Sequence, residues 1–254
     1  MAPVPADALL EWYAREARDL PWRRTTDPYA VLVSEVMLQQ TQVARVIPRY
    51  EAWLERWPDA AALAAAPLPE VLAAWVGLGY NRRAARLWEA CRVVARRGWP
   101  EDLRELPGVG PYTAAAVGEF AFGRPELPVD TNVRRVLERT GFTPPAAPPP
   151  ALGQALMELG AVVCRAREAA CGRCPVATVC ASAGRVELPA RRRDSGGERF
   201  EDSNRWVRGR VVEALATGGA LPGGIAPERL DRAVAGLVRD GLVARDRGRL
   251  RLAG

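Results

Sequence analysis

The chain has 254 residues, a net charge of +6 and a pI near 9.5, which suits one large domain or two to three small ones. This charge favours a polyanionic partner, with a merely solvated basic surface as the alternative. No apolar run approaches the ~20 residues of a membrane span and no signal-peptide pattern is present, so we expect a cytoplasmic protein without a membrane anchor.

All basic residues are arginine, because the sequence contains neither lysine nor histidine. Any acid, base or nucleophile must therefore be Asp, Glu, Tyr, Cys, Ser or Thr. Chemistry through a lysine Schiff base is excluded.

Apolar periodicity predicts a mostly helical chain through about residue 190. Asp27 is placed to cap a helix that begins at Pro28, and the apolar residues that follow predict a mostly buried helix. Glycine and proline breakers separate further predicted helices at residues 59–65, 69–75, 82–96, 111–121, 131–139 and 151–163. The predicted architecture is all-α.

A charged, glycine-containing stretch at residues 189–203 predicts a linker to a small last domain. Within residues 204–254, helices are predicted near 205–216 and 227–240, followed by a hairpin of strands at 242–245 and 249–252. A helix pair followed by a hairpin suggests a winged-helix-like module. A generic α+β appendage that packs on the main domain is the alternative.

Two glycines, Gly108 and Gly110, precede an alanine-rich helix in the segment Leu106 to Thr113. Glycines allow a tight turn, and the amides at a helix start favour an anion. We expect a DNA phosphate there, although many turns between helices use such glycines for structural reasons only.

Four cysteines follow one another in the spacing C-x6-C-x2-C-x5-C: Cys164, Cys171, Cys174 and Cys180. Closely spaced cysteines without a secretory signal indicate ligands of one metal centre. Structural zinc usually needs two short cysteine arms or histidine, whereas four cysteines without histidine suit a [4Fe-4S] cluster. We expect the cluster, with zinc and chance burial as alternatives, and we assign Cys91 to the core.

Three further segments carry a family resemblance: Arg18 to Arg23, Ser34 to Val43, and Gly77 to Tyr80. With the glycine turn, the segment Val129 to Val136 and the four cysteines, they make residues 8–185 resemble the helix-hairpin-helix DNA glycosylases with an iron-sulfur cluster. Within this superfamily the chain is most similar to the MutY-type adenine DNA glycosylases.

The resemblance implies a two-lobed fold with a six-helix barrel at residues 25–124 and a cluster domain formed by residues 1–24 and 125–188. It implies an active site in the cleft between these lobes. The implied partner is double-stranded DNA with a mismatched or damaged base pair, bound by a monomer associated with the nucleoid.

Two carboxylates match the motifs of this family, Glu35 and Asp130. Adenine leaves poorly unless a ring nitrogen is protonated, and a carboxyl group on an apolar helix, such as Glu35, has a raised pKa that suits this role. An ionised Asp130 would stabilise the cationic sugar. By resemblance, Asn132 orients Asp130, and Tyr112 stands where the bifunctional endonuclease III branch has its Schiff-base lysine.

The resemblance also implies contacts to DNA. The pocket for the flipped adenine would be lined by Arg18, Trp22, Leu38, Gln154 and Met157, while Gln39 and Gln40 would insert into the duplex. Phosphates would be bound by Gly108, Gly110, Thr113, Arg165, Arg167 and Arg173.

One departure concerns the opposite base. The 74 residues that follow Cys180 are too few for the 8-oxoguanine-reading domain that many MutY-type enzymes carry. A preference for 8-oxoguanine over guanine therefore does not follow from the sequence. From the resemblance we expect adenine excision opposite guanine or 8-oxoguanine, with two alternatives. One is removal of thymine or uracil opposite guanine, and the other is a non-catalytic, redox-sensing DNA-binding protein.

Overall fold

The computed structural model describes residues 2–188, 199–221, 223–246 and 248–254. The predicted linker lies outside the described residues from 189 to 198, as does Arg247 in the predicted hairpin turn. The chain divides into two compact units, one made of Met1–Glu35 with Val109–Arg193 and the other of Val36–Gly108 with Asp194–Gly254. The boundaries drawn from the sequence for a barrel and a cluster domain stay predictions.

Helices dominate the described chain. In chain order they are α1 (Ala6–Glu16), α2 (Pro28–Leu38), α3 (Val43–Arg56), α4 (Ala60–Ala65), α5 (Leu68–Ala74), α6 (Arg82–Arg97), α7 (Pro111–Phe122), α8 (Thr131–Thr140), α9 (Leu152–Glu158), α10 (Asn204–Thr217) and α11 (Pro227–Arg239). A π-helical turn at Leu159–Val163 continues α9. The predicted helices are confirmed to within one or two residues at most ends, and the region 151–163 is α9 plus this turn.

The strands form three short pairs. They are β1 (Ala2–Pro3) parallel to β2 (Phe142–Thr143), β3 (Cys164–Arg165) antiparallel to β4 (Glu168–Ala169), and β5 (Val243–Asp246) antiparallel to β6 (Arg249–Leu252). The predicted all-α class with a small α+β module at the end of the chain is confirmed.

Helix α2 begins where the sequence predicts. The carboxylate of Asp27 accepts hydrogen bonds from the backbone N–H groups of Tyr29 and Ala30, both at 3.2 Å, which satisfies two amides at the helix start. The residues from Tyr29 to Met37 are nearly all buried. Glu35 is therefore held in apolar surroundings.

The core of the first unit is built by α1, α8 and α9. Leu9, Trp12, Val133, Leu156 and Leu159 are among its buried members. Helix α8 is capped at its start by Asp130 and is followed by the C-cap Gly141, whose φ of +72° is a left-handed conformation that glycine adopts readily. This packing places the start of α8 beside the π-helical turn.

Three tryptophans pack edge to face in the second unit. The ring of Trp53 lies 4.7 Å from Trp57 and 5.4 Å from Trp75, measured between centroids. Helix α10 packs on α5, and the β5–β6 hairpin packs against α10 and α11. The predicted helix pair and hairpin are thus confirmed. Within the described residues, no helix combines the length and apolar character needed to cross a membrane.

Candidate active site

Glu35 is a buried carboxyl group that faces Tyr112 and Asp130. Its side chain is 7% exposed. Burial raises the pKa of Glu35 to about 7, a hydrogen bond with Tyr112 acts in the opposite direction, and the charge of Asp130 adds to the rise. Glu35 can therefore carry a proton near neutral pH, as the sequence predicts.

Asp130 is the N-cap of α8. Its Oδ1 accepts from the backbone N–H groups of Asn132 at 2.8 Å and Val133 at 2.7 Å, and its Oδ2 accepts from Asn132 Nδ2 at 2.7 Å. A carboxylate accepts three donors in this way when it is ionised, and the positive end of the helix dipole favours its charge. Two carboxyl groups in different surroundings are thus brought together.

Asn132 connects Asp130 to the rest of the unit. Its Oδ1 accepts from Arg135 Nη2 at 2.8 Å, and Arg135 Nη2 also donates to the carbonyl oxygen of Gly160 at 2.6 Å. A Cβ atom on Gly160 would lie 2.7 Å from Asn132 Cβ, so only glycine permits this approach. The amide of Asn132 is therefore fixed from two sides.

Tyr112 stands in the first turn of α7 with its hydroxyl 3.9 Å from Met157 Sδ. Burial raises its pKa far above the ordinary range, and the charges of Glu35 and Asp130 add to this effect. The phenol stays protonated and can act only as a neutral hydrogen-bonding group.

A third carboxylate, Glu158, was not among the predicted site residues. Burial acts to raise the pKa of Glu158, but hydrogen bonds from Arg18 and Arg23 outweigh it and lower this pKa to about 2. Arg18 donates from Nε and Nη2 at 2.7 and 2.8 Å, and Arg23 donates from Nη2 at 2.8 Å. Glu158 fixes the guanidinium of Arg18, whose contact with the flipped base stays a prediction.

A fourth carboxyl group, Glu119, was also not predicted. Burial raises the pKa of Glu119 to about 7, opposed by the backbone N–H of Gly153, which donates to Oε1 at 3.2 Å. A Cβ atom on Gly153 would lie 2.2 Å from Glu119 Oε2. The charge of Glu119 adds to the raised pKa of Tyr112, but Glu119 is not among the groups that shift the pKa of Glu35.

The remaining pocket candidates of the first unit have defined positions. Trp22 is buried in a 3₁₀ turn, and Gln154 Oε1 accepts from the hydroxyl of Tyr13 at 2.6 Å. In the second unit, Leu38 is the half-buried last residue of α2, and the half-buried Gln39 and the exposed Gln40 follow it. Their contacts to a base stay predictions.

The glycine turn packs closely on α6. Gly108 has a φ of +79°, and a Cβ atom there would lie 2.7 Å from Arg86 Cβ. Gly110 is the N-cap of α7, and Thr113 is only 3% exposed. Arg165, Arg167 and Arg173 are exposed, but Arg165 pairs with Glu168 and Arg173 donates to the carbonyl oxygen of Val162 at 2.7 Å.

The four cysteines of the predicted cluster lie near one another. Burial raises the pKa of Cys174, and the charges of Cys180, Cys164 and Cys171 add to the rise. Arg139 Nη1 lies 3.5 Å from Cys164 Sγ. In the part of the chain that is described, no three His, Cys, Asp or Glu residues are grouped closely enough for a single metal ion. The donor set of four thiols without histidine fits iron-sulfur ligation.

Comparison with known proteins gives the class of this chain. Residues 33–161 match the HhH-GPD superfamily of base excision DNA repair proteins. The "adenine DNA glycosylase" of Mycolicibacterium smegmatis is 42% identical over 97% of this chain and 95% of its own length, and that of Mycobacterium tuberculosis is 42% identical over 82% and 77%. A solved "thermostable thymine-DNA glycosylase" aligns with a TM-score of 0.64 and 27% identity, over 71% of this chain and 95% of its own.

The chain belongs to the HhH-GPD superfamily of base excision DNA repair proteins. It falls on the branch of this superfamily that contains the MutY-type adenine DNA glycosylases.

Proposed function

We propose that this protein is a monofunctional adenine DNA glycosylase that removes adenine mispaired with guanine or 8-oxoguanine. The observation that carries the proposal is the pair of Glu35, whose pKa burial raises to about 7, and Asp130, which accepts three N–H donors. One protonated and one ionised carboxyl group are what purine excision requires. The relatives named above support adenine as the base.

Glu35 is proposed to donate its proton to a ring nitrogen of the flipped adenine. The bond from the sugar C1′ to the base then breaks, and its electron pair leaves with the protonated, neutral base. Asp130 stabilises the cationic sugar by its charge or by a transient covalent bond. Water finally supplies the hydroxyl group at C1′, and its released proton restores Glu35.

We propose that Arg18, Trp22, Leu38, Gln154 and Met157 contact the flipped base, with Gln39 and Gln40 inserted into the duplex. Glu158 supports this pocket, because it accepts two parallel hydrogen bonds from Arg18 and so orients its guanidinium. Phosphates are proposed to bind to the amides near Gly108, Gly110 and Thr113 and to Arg165, Arg167 and Arg173.

A [4Fe-4S] cluster is proposed on Cys164, Cys171, Cys174 and Cys180. When bound, it supplies iron-thiolate bonds that hold the segment 164–180 in one conformation. Arg139 supports this site by donating to the carbonyl oxygens of Arg165 and Ala166 at 2.7 and 3.0 Å, which orders the loop between the first two cysteines. We also propose that the protein acts as a monomer.

A single-turnover excision assay tests this function. Duplexes would carry adenine, thymine or uracil opposite each of guanine, 8-oxoguanine, cytosine and thymine, and base release would be followed after alkaline cleavage. Adenine release opposite guanine or 8-oxoguanine is the expected result. The likeness to a thymine-DNA glycosylase makes thymine or uracil opposite guanine the second candidate, and release of these bases alone would replace the proposal.

A further inference from the structure

Tyr13 is a tyrosine of the first unit that the proposed mechanism leaves without a role. It lies on α1 and packs, partly buried, against the apolar core of this unit. Its hydroxyl donates to Oε1 of Gln154 on α9, 141 residues further along the chain. Phenylalanine would fill the same space in the contact between these two helices, so packing alone does not account for the hydroxyl.

The length of this contact shows which group donates. The hydroxyl oxygen of Tyr13 lies 2.6 Å from Gln154 Oε1, which is ordinary for an O–H···O hydrogen bond but shorter than the roughly 2.7–3.2 Å of N–H···O bonds. Burial raises the pKa of Tyr13 against the opposing charge of Arg23, so the hydroxyl keeps the proton that it donates. The carboxamide of Gln154 is therefore held with its oxygen toward Tyr13 and its NH₂ group directed away.

The NH₂ group of Gln154 is available to a ligand. Within the described residues Nε2 has no hydrogen-bond partner, and it is not one of the buried atoms that lack one. Met157 stands three residues further along α9, so both side chains share one face of this helix. Met157 Sδ lies 3.9 Å from the hydroxyl of Tyr112, which faces Glu35. The free donors therefore lie on the face of α9 that borders the reaction site.

Tyr13 is itself held in place by Arg23. The guanidinium carbon of Arg23 lies 5.3 Å from the centroid of the Tyr13 ring, and a cation at this distance is attracted to the face of the ring. Arg23 Nη2 donates to Glu158 at 2.8 Å, which fixes the position of the cation. The charge of Arg23 also acts to lower the pKa of Tyr13, so it strengthens the hydroxyl as a hydrogen-bond donor.

A glutamine side chain can present either a donor or an acceptor to a ligand, and rotation about its last bond exchanges the two. In a pocket for a flipped base, this freedom would let one residue match opposite hydrogen-bond patterns. A hydroxyl that donates to Oε1 removes the freedom, because the NH₂ group must then face the ligand. The ligand has to offer an acceptor at this point, and adenine offers ring nitrogens.

We propose that Tyr13 is a positioning residue that orients the amide of Gln154, so that the N–H groups of this amide donate to a ring nitrogen of the flipped adenine. The inference rests on the proposed function and adds a residue of α1 to the recognition of the base. It concerns the hydroxyl alone, since phenylalanine would keep the packing of the ring and its contact with Arg23.

A double-mutant cycle tests this role in single-turnover excision of adenine opposite guanine or 8-oxoguanine by the full-length protein. Gln154→Met removes the amide and should lower the rate by about tenfold or more. Tyr13→Phe should lower the rate by about tenfold, because an amide that rotates loses the alignment of one hydrogen bond. In the Gln154→Met background, Tyr13→Phe should change the rate by less than about twofold, since no amide is left to orient.

Tyr50→Phe is the matched control, because it removes the hydroxyl of a buried tyrosine of the second unit, and it should keep the wild-type rate. Thermal unfolding sets a temperature at which every variant is folded. The pH at which excision begins to slow should be the same for Tyr13→Phe and the wild type, because Glu35 is not disturbed.

Two kinds of failure can be told apart. If the wild type releases no adenine from any duplex, the proposed function itself fails. If the wild type is active, three results would each overturn the positioning role. They are a wild-type rate for Tyr13→Phe, a loss of rate that persists in full without the Gln154 amide, and a shifted pH dependence.

Discussion

Arg135 Nε donates to the carbonyl oxygen of Cys164 at 2.9 Å. The same side chain holds Asn132, which in turn donates to Asp130. The backbone of the first cysteine of the proposed cluster and the carboxylate proposed to stabilise the sugar are therefore linked through two side chains, those of Arg135 and Asn132. Order in the cysteine segment supports the geometry of the reaction site, even for a cluster that takes no part in the chemistry.

The first prediction concerns this link. Arg135→Met should lower the single-turnover excision rate by about tenfold, because Asn132 loses its orienting donor. Arg135→Lys should restore part of the rate, whereas Arg134→Met, which alters the exposed neighbour, should leave it unchanged. Equal rates for both methionine variants would show that Arg135 does not position Asn132.

The second prediction compares two buried glutamates. Glu35→Gln removes the proposed proton donor and should slow excision more than ~10²-fold, while the dissociation constant for mismatched duplex stays close to that of the wild type. Glu119→Gln is the matched control, because burial raises the pKa of Glu119 to about 7 as well. Comparable loss of rate in both variants would contradict a specific role for Glu35.

The third prediction concerns pH. Since the pKa of Glu35 is raised to about 7 and the protonated form is active, the excision rate should be constant below this pH and fall about tenfold per unit above it. Between pH 4.5, the ordinary pKa of a glutamate, and about pH 7, Glu35 takes up a proton when the protein folds. The contribution of Glu35 to the free energy of unfolding therefore declines as the pH rises through this window. Denaturant unfolding should show Glu35→Gln gaining stability over the wild type at pH 8 more than at pH 5.

The fourth prediction concerns the metal. Protein purified without oxygen should contain about four irons and four sulfides per chain, and Cys171→Ser should lower both. Cys91→Ala should keep them, because Cys91 is a buried residue of the second unit and does not belong to the segment 164–180 that holds the other four cysteines. Stoichiometric zinc in the wild type would replace the cluster assignment.

The fifth prediction concerns strand cleavage. Lyase chemistry at an abasic site normally needs an amine that forms an imine with the opened sugar. This chain has no lysine, and by resemblance Tyr112 stands where the bifunctional enzymes have their Schiff-base lysine. Base release should leave the strand intact until alkali is added, and borohydride should trap little covalent complex. Endonuclease III serves as the positive control, and strand scission that keeps pace with base release would refute the monofunctional proposal.

The sequence predicts much of the site because its key residues lie in local motifs. Asp27 and Asp130 are caps whose partners are two and three residues away, so their hydrogen bonds follow from sequence position alone. Glu35 stands on an apolar helix, which is enough to predict its burial and raised pKa. Helix α3 was not predicted, since Pro48 inside it gives the signal of a breaker.

Glu158 could not be predicted in this way. Its partners Arg18 and Arg23 are 140 and 135 residues away, and no spacing rule connects them. The local signal was a single carboxylate among the apolar residues of α9 and the following turn, which indicates a buried charge in need of partners. The packing of α10 on α5 is likewise a tertiary contact that propensities do not determine.

Burial raises the pKa of Cys91 to about 12, and its side chain is fully shielded in the folded protein. Alkylating reagents react with the thiolate form, so the Cys91 thiol does not react at neutral pH while the chain is folded. The other four cysteines of the chain lie in the segment 164–180 and are half-buried. A thiol titration of folded protein therefore reports on the cysteines of this segment, with Cys174 reacting more slowly because burial raises its pKa as well. A fifth reactive thiol reports unfolding of the second unit.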